Sequence, residues 1–402
     1  MTAQDKWLSV VGIGADGMAG LAPAAHALVA AAELLVGGER HLAFVPERPD
    51  QQRLVWGKPL LETIDRILAQ RGRRVCVLAS GDPQWFGAGA TLAKRVPAEE
   101  LMILPAPGAF SLAAARLAWA LDAVDCITLH GRPLELLNLY LYRGAHILAL
   151  SEDGAMPAAV AAHLAKAGFG SAEITVLENL GGAQERIISG RADAWSHARC
   201  ADLNTLAIAI SDGPANARVP GLDDNVFLHD GNITKREVRA VTLSRLAPLP
   251  GELLWDVGAG AGSIGIEWLR ADHRNRAIAI ESRESRRYMI AQNALQLGVP
   301  QLDIRGGDAP AVLEGLPAPD AIFIGGGILT DGLLERCMAA LQPCGRLVAN
   351  VVTLEGEAAI VQGWQKFGGE LSRLGVARAD HVGRFHGWHA MMPVTQWSLV
   401  KE

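Results

Sequence analysis

The apolar residues of this chain fall in short runs that stop at glycines or turn formers. Leu8-Ser9-Val10-Val11-Gly12-Ile13-Gly14 is one such run, and its pattern predicts a buried strand. Arg73–Ala79, Met102–Pro105, Ile147–Leu150, Glu173–Leu177 and Leu206–Ile210 predict further strands. Between them, Ala24–Leu35 and Ser111–Leu121 are rich in Ala and Leu and free of Gly and Pro, which predicts helices. Strands alternating with helices predict an α/β layered fold.

The pattern breaks at residues 212–226, where two Pro, two Gly and three Asp occur without periodicity. This predicts a linker over 213–226 between a domain of residues 1–212 and one of residues 227–402. Beyond it, Thr234 and Glu237 have capping-box spacing ahead of an amphipathic helix. The second domain then reads as strand 252–257, glycine loop 258–262, helix 263–270, strand 277–281 and helix 284–297. On that last helix Tyr288, Ala291 and Leu295 fall on one face. Strands follow at 302–305, 320–324 and 346–352, and the alternation from Trp388 to Val400 supplies antiparallel strands.

Composition narrows the function classes. The 402 residues are half apolar and carry 37 basic against 43 acidic side chains, net −6, so nucleic acid is excluded as an expected partner. The five cysteines form no Cys-x-x-Cys pair, which predicts reduced thiols in the cytoplasm and no metal site. Met1–Lys6 shows no signal-peptide pattern, and Leu21–Val36 is too short and too interrupted by Pro23, His26 and Glu33 to span a membrane.

The densest chemistry lies in Trp255-Asp256-Val257-Gly258-Ala259-Gly260-Ala261-Gly262-Ser263-Ile264-Gly265. Strand, glycine turn and helix start follow one another, so a ligand could lie against bare backbone N–H groups. Gly260, Gly262 and Gly265 match the dinucleotide fingerprint, which keeps an NAD-dependent dehydrogenase as an alternative. Three acids favour S-adenosylmethionine instead. Asp256 precedes the loop, where it would repel a pyrophosphate or hold a helix N-terminus. Glu281 ends the second strand and suits ribose hydroxyls, and Asp308 follows the third strand and suits an adenine amino group.

The first half carries three glycine loops, each after a strand: Val11–Gly17, Ser80-Gly81-Asp82-Pro83 with Gly87, and Pro107-Gly108-Ala109-Phe110-Ser111. Glu178-Asn179-Leu180-Gly181-Gly182 and Glu185-Arg186 lie downstream. With His130-Gly131-Arg132-Pro133, this order resembles the class III tetrapyrrole methyltransferase family of the CbiE type over residues 1–210. The stretches Asp230–Ala240 and Trp255–Glu267 make residues 220–402 resemble the class I, CbiT-type methyltransferases. Ala15-Asp16 departs from the Pro-Gly of many relatives and alters the first loop.

The resemblance implies a bifunctional enzyme of cobalamin biosynthesis with a class III methylase fold followed by a Rossmann-like class I fold. Such an enzyme methylates C5 and C15 of a precorrin-6 intermediate and removes the ring C acetate carboxyl, giving precorrin-8. It implies two S-adenosylmethionine sites. One would use Thr234, Gly258, Ala259, Gly260, Ala261, Gly262, Glu281, Asp308 and Ala309; the other would use Ser80, Gly81, Asp82, Trp85, Ser111, Leu206 and Ala207. It also implies a homo-oligomer, since CbiT-type relatives form tetramers.

The substrate is polyanionic, so Lys235, Arg236, Arg239 and Arg132 are candidate carboxylate partners. Gly326, within Gly325–Gly327, is a candidate substrate contact. His130 reads as structural. Methyl transfer to an electron-rich carbon needs alignment and dryness rather than a nucleophilic triad, and none is visible. Decarboxylation needs an electron sink and a general acid, for which the sequence names no residue.

Overall fold

The computed structural model describes residues 6–214 and 217–402. Residues 1–5 of the amino-terminal stretch, and Ala215 and Asn216 of the expected linker, lie outside them. Two compact units form, one of residues 6–132 with 142–214, the other of residues 217–402 with 133–141. Among the described residues no helix is long and apolar enough to cross a membrane.

The first unit holds two five-stranded sheets. Strands β1 (Leu8–Ile13), β2 (Leu34–Gly37), β3 (Gln52–Val55), β4 (Val75–Ser80) and β5 (Leu101–Leu104) run parallel in the order β3-β2-β4-β1-β5. All of β1 is buried, as expected of a parallel strand covered on both faces. Strands β6 (Asp125–Thr128), β7 (His146–Leu150), β8 (Glu173–Glu178), β9 (Arg186–Arg191) and β10 (Asn204–Ala209) form a mixed sheet in the order β6-β7-β10-β8-β9.

Two helix expectations change here. The helix expected over Ala24–Leu35 covers Pro23–Ala31, and Leu34 already begins β2. A fully buried strand has the same Leu and Val content as a helix core, so periodicity cannot separate them. The Glu33 and Leu34 N–H groups both donate to the Arg74 carbonyl, drawing the chain into the sheet. The helix expected over Ser111–Leu121 covers Ala109–Leu117 and ends at Ala118, whose backbone is left-handed.

In the second unit the strands are β11 (Leu253–Val257), β12 (Arg276–Ile280), β13 (Asp303–Arg305), β14 (Ala321–Ile324), β15 (Arg346–Val351), β16 (Glu370–Leu374), β17 (Ala377–Val382), β18 (Phe385–Ala390) and β19 (Val394–Val400). Seven form a sheet ordered β13-β12-β11-β14-β15-β19-β16, with β19 antiparallel to β15 and β16. Their alternating side chains sort onto two faces. Leu254, Ala279 and Phe323 pack beneath the helices Arg236–Leu246, Ser263–Ala271 and Glu284–Gln296. Trp255, Ile280 and Ile324 pack on the opposite face, towards the helices Leu333–Ala340 and Leu354–Phe367. Strands β17 and β18 form a separate hairpin that leaves Val382, Phe385 and Trp388 exposed.

One local expectation fails in this unit, and the face that carries Tyr288, Ala291 and Leu295 is not the buried one. Helix Arg236–Leu246 starts after Lys235 with no side-chain cap, so Thr234 and Glu237 form no capping box. Glu237 is drawn outward to Arg378, and the Thr234 carbonyl accepts from Arg239 Nη1. Helix Glu284–Gln296 buries Ile290, Asn293 and Ala294, whereas Tyr288 is 64 % exposed. Its inner face is set by a polar residue. The Asn293 amide accepts from the Leu228 N–H and donates to the carbonyls of Leu228 and Ala261.

Arg239 was a candidate substrate cation, but it is fully buried and spent within the fold. Its Nε donates to Glu267 Oε1 at 2.6 Å and its Nη1 to Asp224 Oδ1 at 3.1 Å, with the Leu222 carbonyl as a further acceptor. Glu267 in turn accepts from the N–H groups of Gly221 and Leu222, inside the stretch read as linker. Replacing Arg239 by Ala leaves the buried Glu267 without its cation and Asp224 with Arg378 alone, 3.2 Å from its Oδ2. The expected loss is about 3–5 kcal/mol of stability, read as a lower denaturation midpoint of the second unit, and Arg239→Lys should recover little of it because it lacks the forked donor set.

Candidate active sites

The second-unit site lies at the carboxyl ends of the parallel strands. There the loops after β11 and β14 leave in opposite directions, the position at which doubly wound sheets bind ligands. A cavity of about 550 Å³ opens there. Among its lining residues are Thr234 and Lys235, the loop Gly258–Ala261, and Gly325–Gly327; it then passes Asn350–Thr353 to Leu374, Val376, Met391, Met392 and Val394. It thus spans the ends of β11, β14, β15, β19 and β16, roughly 19 Å at about 4.8 Å per strand.

Close backbone approach shapes this wall. Gly258 has φ +71°, and a Cβ there would stand 2.7 Å from the Gly326 nitrogen, so the two loops touch only because no side chain intervenes. The Gly258 and Ala259 N–H groups both donate to the Ile280 carbonyl. The Gly260 N–H donates to Glu281 Oε2 at 2.9 Å, and the Gly262 N–H to the Ala259 carbonyl. These donors are therefore spent on protein, contrary to the expectation of a bare N–H cradle. Three go to main-chain carbonyls and one to Glu281, which sits under the loop, 5 % exposed, with its other oxygen accepting from the Arg283 N–H.

The structure thus brings Thr234, Lys235, Gly258, Ala259, Gly260, Ala261 and Gly326 to one cavity. Gly262, Glu281, Asp308, Ala309, Arg236 and Arg239 do not line it. Gly262 is turned into the fold against Ile290, Asp308 is exposed on the loop after β13, and Arg236 is exposed beside Gly221.

Asp256 is fully buried, below the loop rather than facing a ligand. Its Oδ2 accepts from the Gly265 N–H at 2.9 Å, while Oδ1 is buried with no hydrogen-bond partner. It therefore anchors the start of helix Ser263–Ala271. Burial pushes its carboxyl up to about 7, a rise that the Gly265 N–H opposes and the Glu281 charge reinforces.

In the first unit the loops after β1, β4 and β5 converge. The Gly81 N–H donates to the Ile13 carbonyl, and the Gly81 carbonyl accepts from the Ala106 N–H. Gly81 has φ +56°, and a Cβ there would meet the Gly108 Cα at 2.6 Å. A cavity of about 390 Å³ opens above them, lined by Ser80, Gly81, Asp82, Trp85 and Ser111 among others. Arg132 lies on an adjoining cavity, its guanidinium 5.8 Å from the Phe86 ring. His130 lines both, with Nδ1 3.4 Å from Glu152.

Leu206 and Ala207 do not line this cavity. Both are buried in β10, which is paired on both edges, and the preceding Asn204 and Thr205 face the cavity instead.

Several positions at or beside this cavity are not among those singled out in the sequence. Arg40 lines the cavity, and its guanidinium lies 3.4 Å from Ser80 Oγ. Ser80 Oγ also lies 3.0 Å from His41 Nε2. Burial, aided by the Arg40 charge, pushes the His41 imidazole down to about 4, so it is neutral at physiological pH. Phe86 takes a left-handed backbone, uncommon for a bulky residue, and with Trp85 packs on Phe110. The signal for Arg40 and His41 is the run Leu34-Leu35-Val36-Gly37-Gly38, which ends in glycines as β1 does and whose first two residues the helix pattern over Ala24–Leu35 also covers.

Family profiles match both halves: "Tetrapyrrole (Corrin/Porphyrin) Methylases" over residues 8–194 and "Precorrin methyltransferase domain" over residues 225–401. A Sinorhizobium protein named precorrin-6Y C(5,15)-methyltransferase [decarboxylating] is 48 % identical over 398 residues, covering 98 % of this chain and 96 % of that one. Two Salmonella typhimurium proteins match part of the chain each. A cobalt-precorrin-7 C(5)-methyltransferase is 31 % identical over 45 % of this chain and 88 % of its own length. A cobalt-precorrin-6B C(15)-methyltransferase (decarboxylating) is 33 % identical over 40 % of this chain and 81 % of its own.

The anchoring role of Asp256 has a pH signature. Its carboxyl titrates near 7 when folded and near 3.8 when unfolded, so the folded state holds the extra proton between those values. This contribution is full below about 4 and is lost as pH rises through about 7. Asp256→Asn, which cannot ionise, should flatten the fall in thermal midpoint between pH 5 and pH 8. A variant with the wild-type slope would exclude Asp256 as its source.

Proposed function

This chain belongs to the precorrin-6Y C5,15-methyltransferase (decarboxylating) family, and we propose that its two units divide that reaction between them. The first methylates C5. The second methylates C15 and releases the ring C acetate carboxyl as CO2. The observation that carries this reading is the pair of separate cavities, each built where glycine loops leave parallel strands, in a chain matched end to end by a bifunctional relative.

Both reactions require S-adenosylmethionine, which supplies an electrophilic methyl on a sulfonium, and the residues fit it at two sites. In the second unit Gly258–Ala261 and Thr234 would hold it from the cavity wall. Glu281 holds the loop, with lone pairs left for ribose hydroxyls, and Asp308 stands two strands along at the adenine end. In the first unit Ser80, Gly81, Asp82, Trp85 and Ser111 would hold it, with Asn204 and Thr205 where Leu206 and Ala207 had been expected.

The spent N–H groups of Gly260 and Gly262 speak against the dehydrogenase alternative. They are the donors a pyrophosphate would need, and a carboxylate already occupies one. Substrate carboxylates would meet Arg132 and Arg40 in the first unit and Lys235 in the second.

Titration of the full chain with S-adenosylhomocysteine should show two sites. Gly258→Ala and Gly81→Ala, each driving a Cβ into facing backbone, should remove one site apiece. A single site in the wild type would overturn the division. Mass spectrometry of the product should show two methyl groups gained and one carboxyl lost.

A homo-oligomer completes the proposal. Trp388 is 80 % exposed and Phe385 and Val382 are each 65 % exposed on the β17–β18 hairpin, more apolar surface than an isolated hairpin presents to water without cause. Trp388→Ser should shift the mass measured by light scattering towards one chain. A wild type that is already monomeric would exclude assembly.

A further inference from the structure

The second-unit cavity is poor in groups that can move a proton. Among the described residues that line it there is no Asp, Glu, His, Cys or Tyr. Its charged members are Lys235 and Arg286, and Arg286 is committed to Asp230 at 2.9 Å. Asp256 is sealed beneath the loop and Glu281 is outside the lining. Lys235 has no carboxylate within ion-pair distance among the described residues. It is half-buried between Thr234 and Val238, at the residue preceding helix Arg236–Leu246. Much of the remaining wall is apolar, from Ile233 and Val238 through Val351 to Met391 and Val394.

We propose that Lys235 is the proton donor for the decarboxylation assigned above to this cavity, so the inference rests on that assignment. Carboxylate loss needs somewhere for the C–C electron pair to go. The Lys235 ammonium donates a proton to a ring nitrogen conjugated with the acetate-bearing carbon, which makes an iminium. The bond from the acetate methylene to its carboxylate breaks, its electron pair flows to the iminium nitrogen, and CO2 leaves. The exocyclic carbon of the resulting enamine takes one proton from water and becomes the methyl group. The ring nitrogen returns its proton to Lys235 Nζ. One solvent proton is consumed for each CO2 released, and the lysine is restored.

Geometry and chemistry agree on this role. Lys235 is the one residue of the described lining that carries a transferable proton and no ion pair. A guanidinium does not give up its proton, which disqualifies Arg286 even if its ion pair were broken.

The test compares wild type with Lys235→Arg and Lys235→Gln as full chains. Each is given precorrin-6Y and S-adenosylmethionine, and CO2 release and methyl transfer are measured separately. Thermal melting and S-adenosylhomocysteine binding report folding. Lys235→Arg keeps the charge that binds a carboxylate but loses the transferable proton. CO2 release should fall about 10²–10⁴-fold, and the CO2-to-methyl ratio should fall at least about tenfold. Lys235→Gln should lower the ratio likewise. CO2 release at the wild-type rate in either folded variant, or an equal fall in both reactions, would overturn the proposal. A wild type that neither transfers methyl nor releases CO2 would instead sink the functional assignment.

Discussion

One buried guanidinium fixes where the wall of the second-unit cavity stands. Arg239 is held by Glu267, Asp224 and the carbonyls of Leu222 and Thr234, so it ties helix Ser263–Ala271, the segment before the unit's first helix, and that helix's own start to one point. Removing either ion from such a cluster strands the others in low dielectric, which is why the cluster has one geometry. Its effect on function is indirect. Because the Thr234 carbonyl is pinned by Arg239, Thr234 and Lys235 are delivered to the cavity rather than left on a mobile entry strand. Of the three basic residues in Lys235, Arg236 and Arg239, one faces the cavity, one faces solvent and one builds the fold.

The two units solve the same problem with different parts. Each brings two loops together at the ends of parallel strands by letting them touch through glycines. In the second unit Gly258 rests on Gly326, and in the first Gly81 rests on Gly108. The donors at those loops are satisfied internally, by Glu281 and Ile280 in one unit and by Ile13 in the other. The glycines therefore offer shape more than hydrogen bonds, which suits a cationic nucleoside better than a phosphate.

Much of the fold was legible because strands buried on both faces end in glycine, and that signature marked β1, β4, β11 and β14 in the sequence. It was missed at β2, where Leu34–Gly37 follows a helix of the same composition with almost no punctuation. The cost was Arg40 and His41, which stand beside Ser80 only because β2 lies next to β4. The site was legible in its loops and illegible in its side-chain directions. Leu206 and Ala207 are near the first cavity in sequence, yet β10 is paired on both edges and turns them into the core. Arg239 carries the charge expected of a substrate contact, and nothing local to its sequence reveals the carboxylate of Glu267 waiting 28 residues on.

The cavities differ most in what ionises within them. The first is ringed by Arg40, Asp82, His130, Glu152 and Asp202, whereas the second faces its ligand with one unpaired ammonium and a long apolar wall. Methyl transfer to an electron-rich carbon tolerates either setting, since it needs alignment and exclusion of water more than acid or base. Decarboxylation does not. A carboxylate held by several cations is stabilised as it stands, and each such contact raises the barrier to losing it. Among the described residues that line the second cavity there is no carboxylate or imidazole and one cation outside an ion pair, so the lining offers little to hold the acetate charge in its ground state. That sparse lining is what fits the second cavity to the two steps proposed for it.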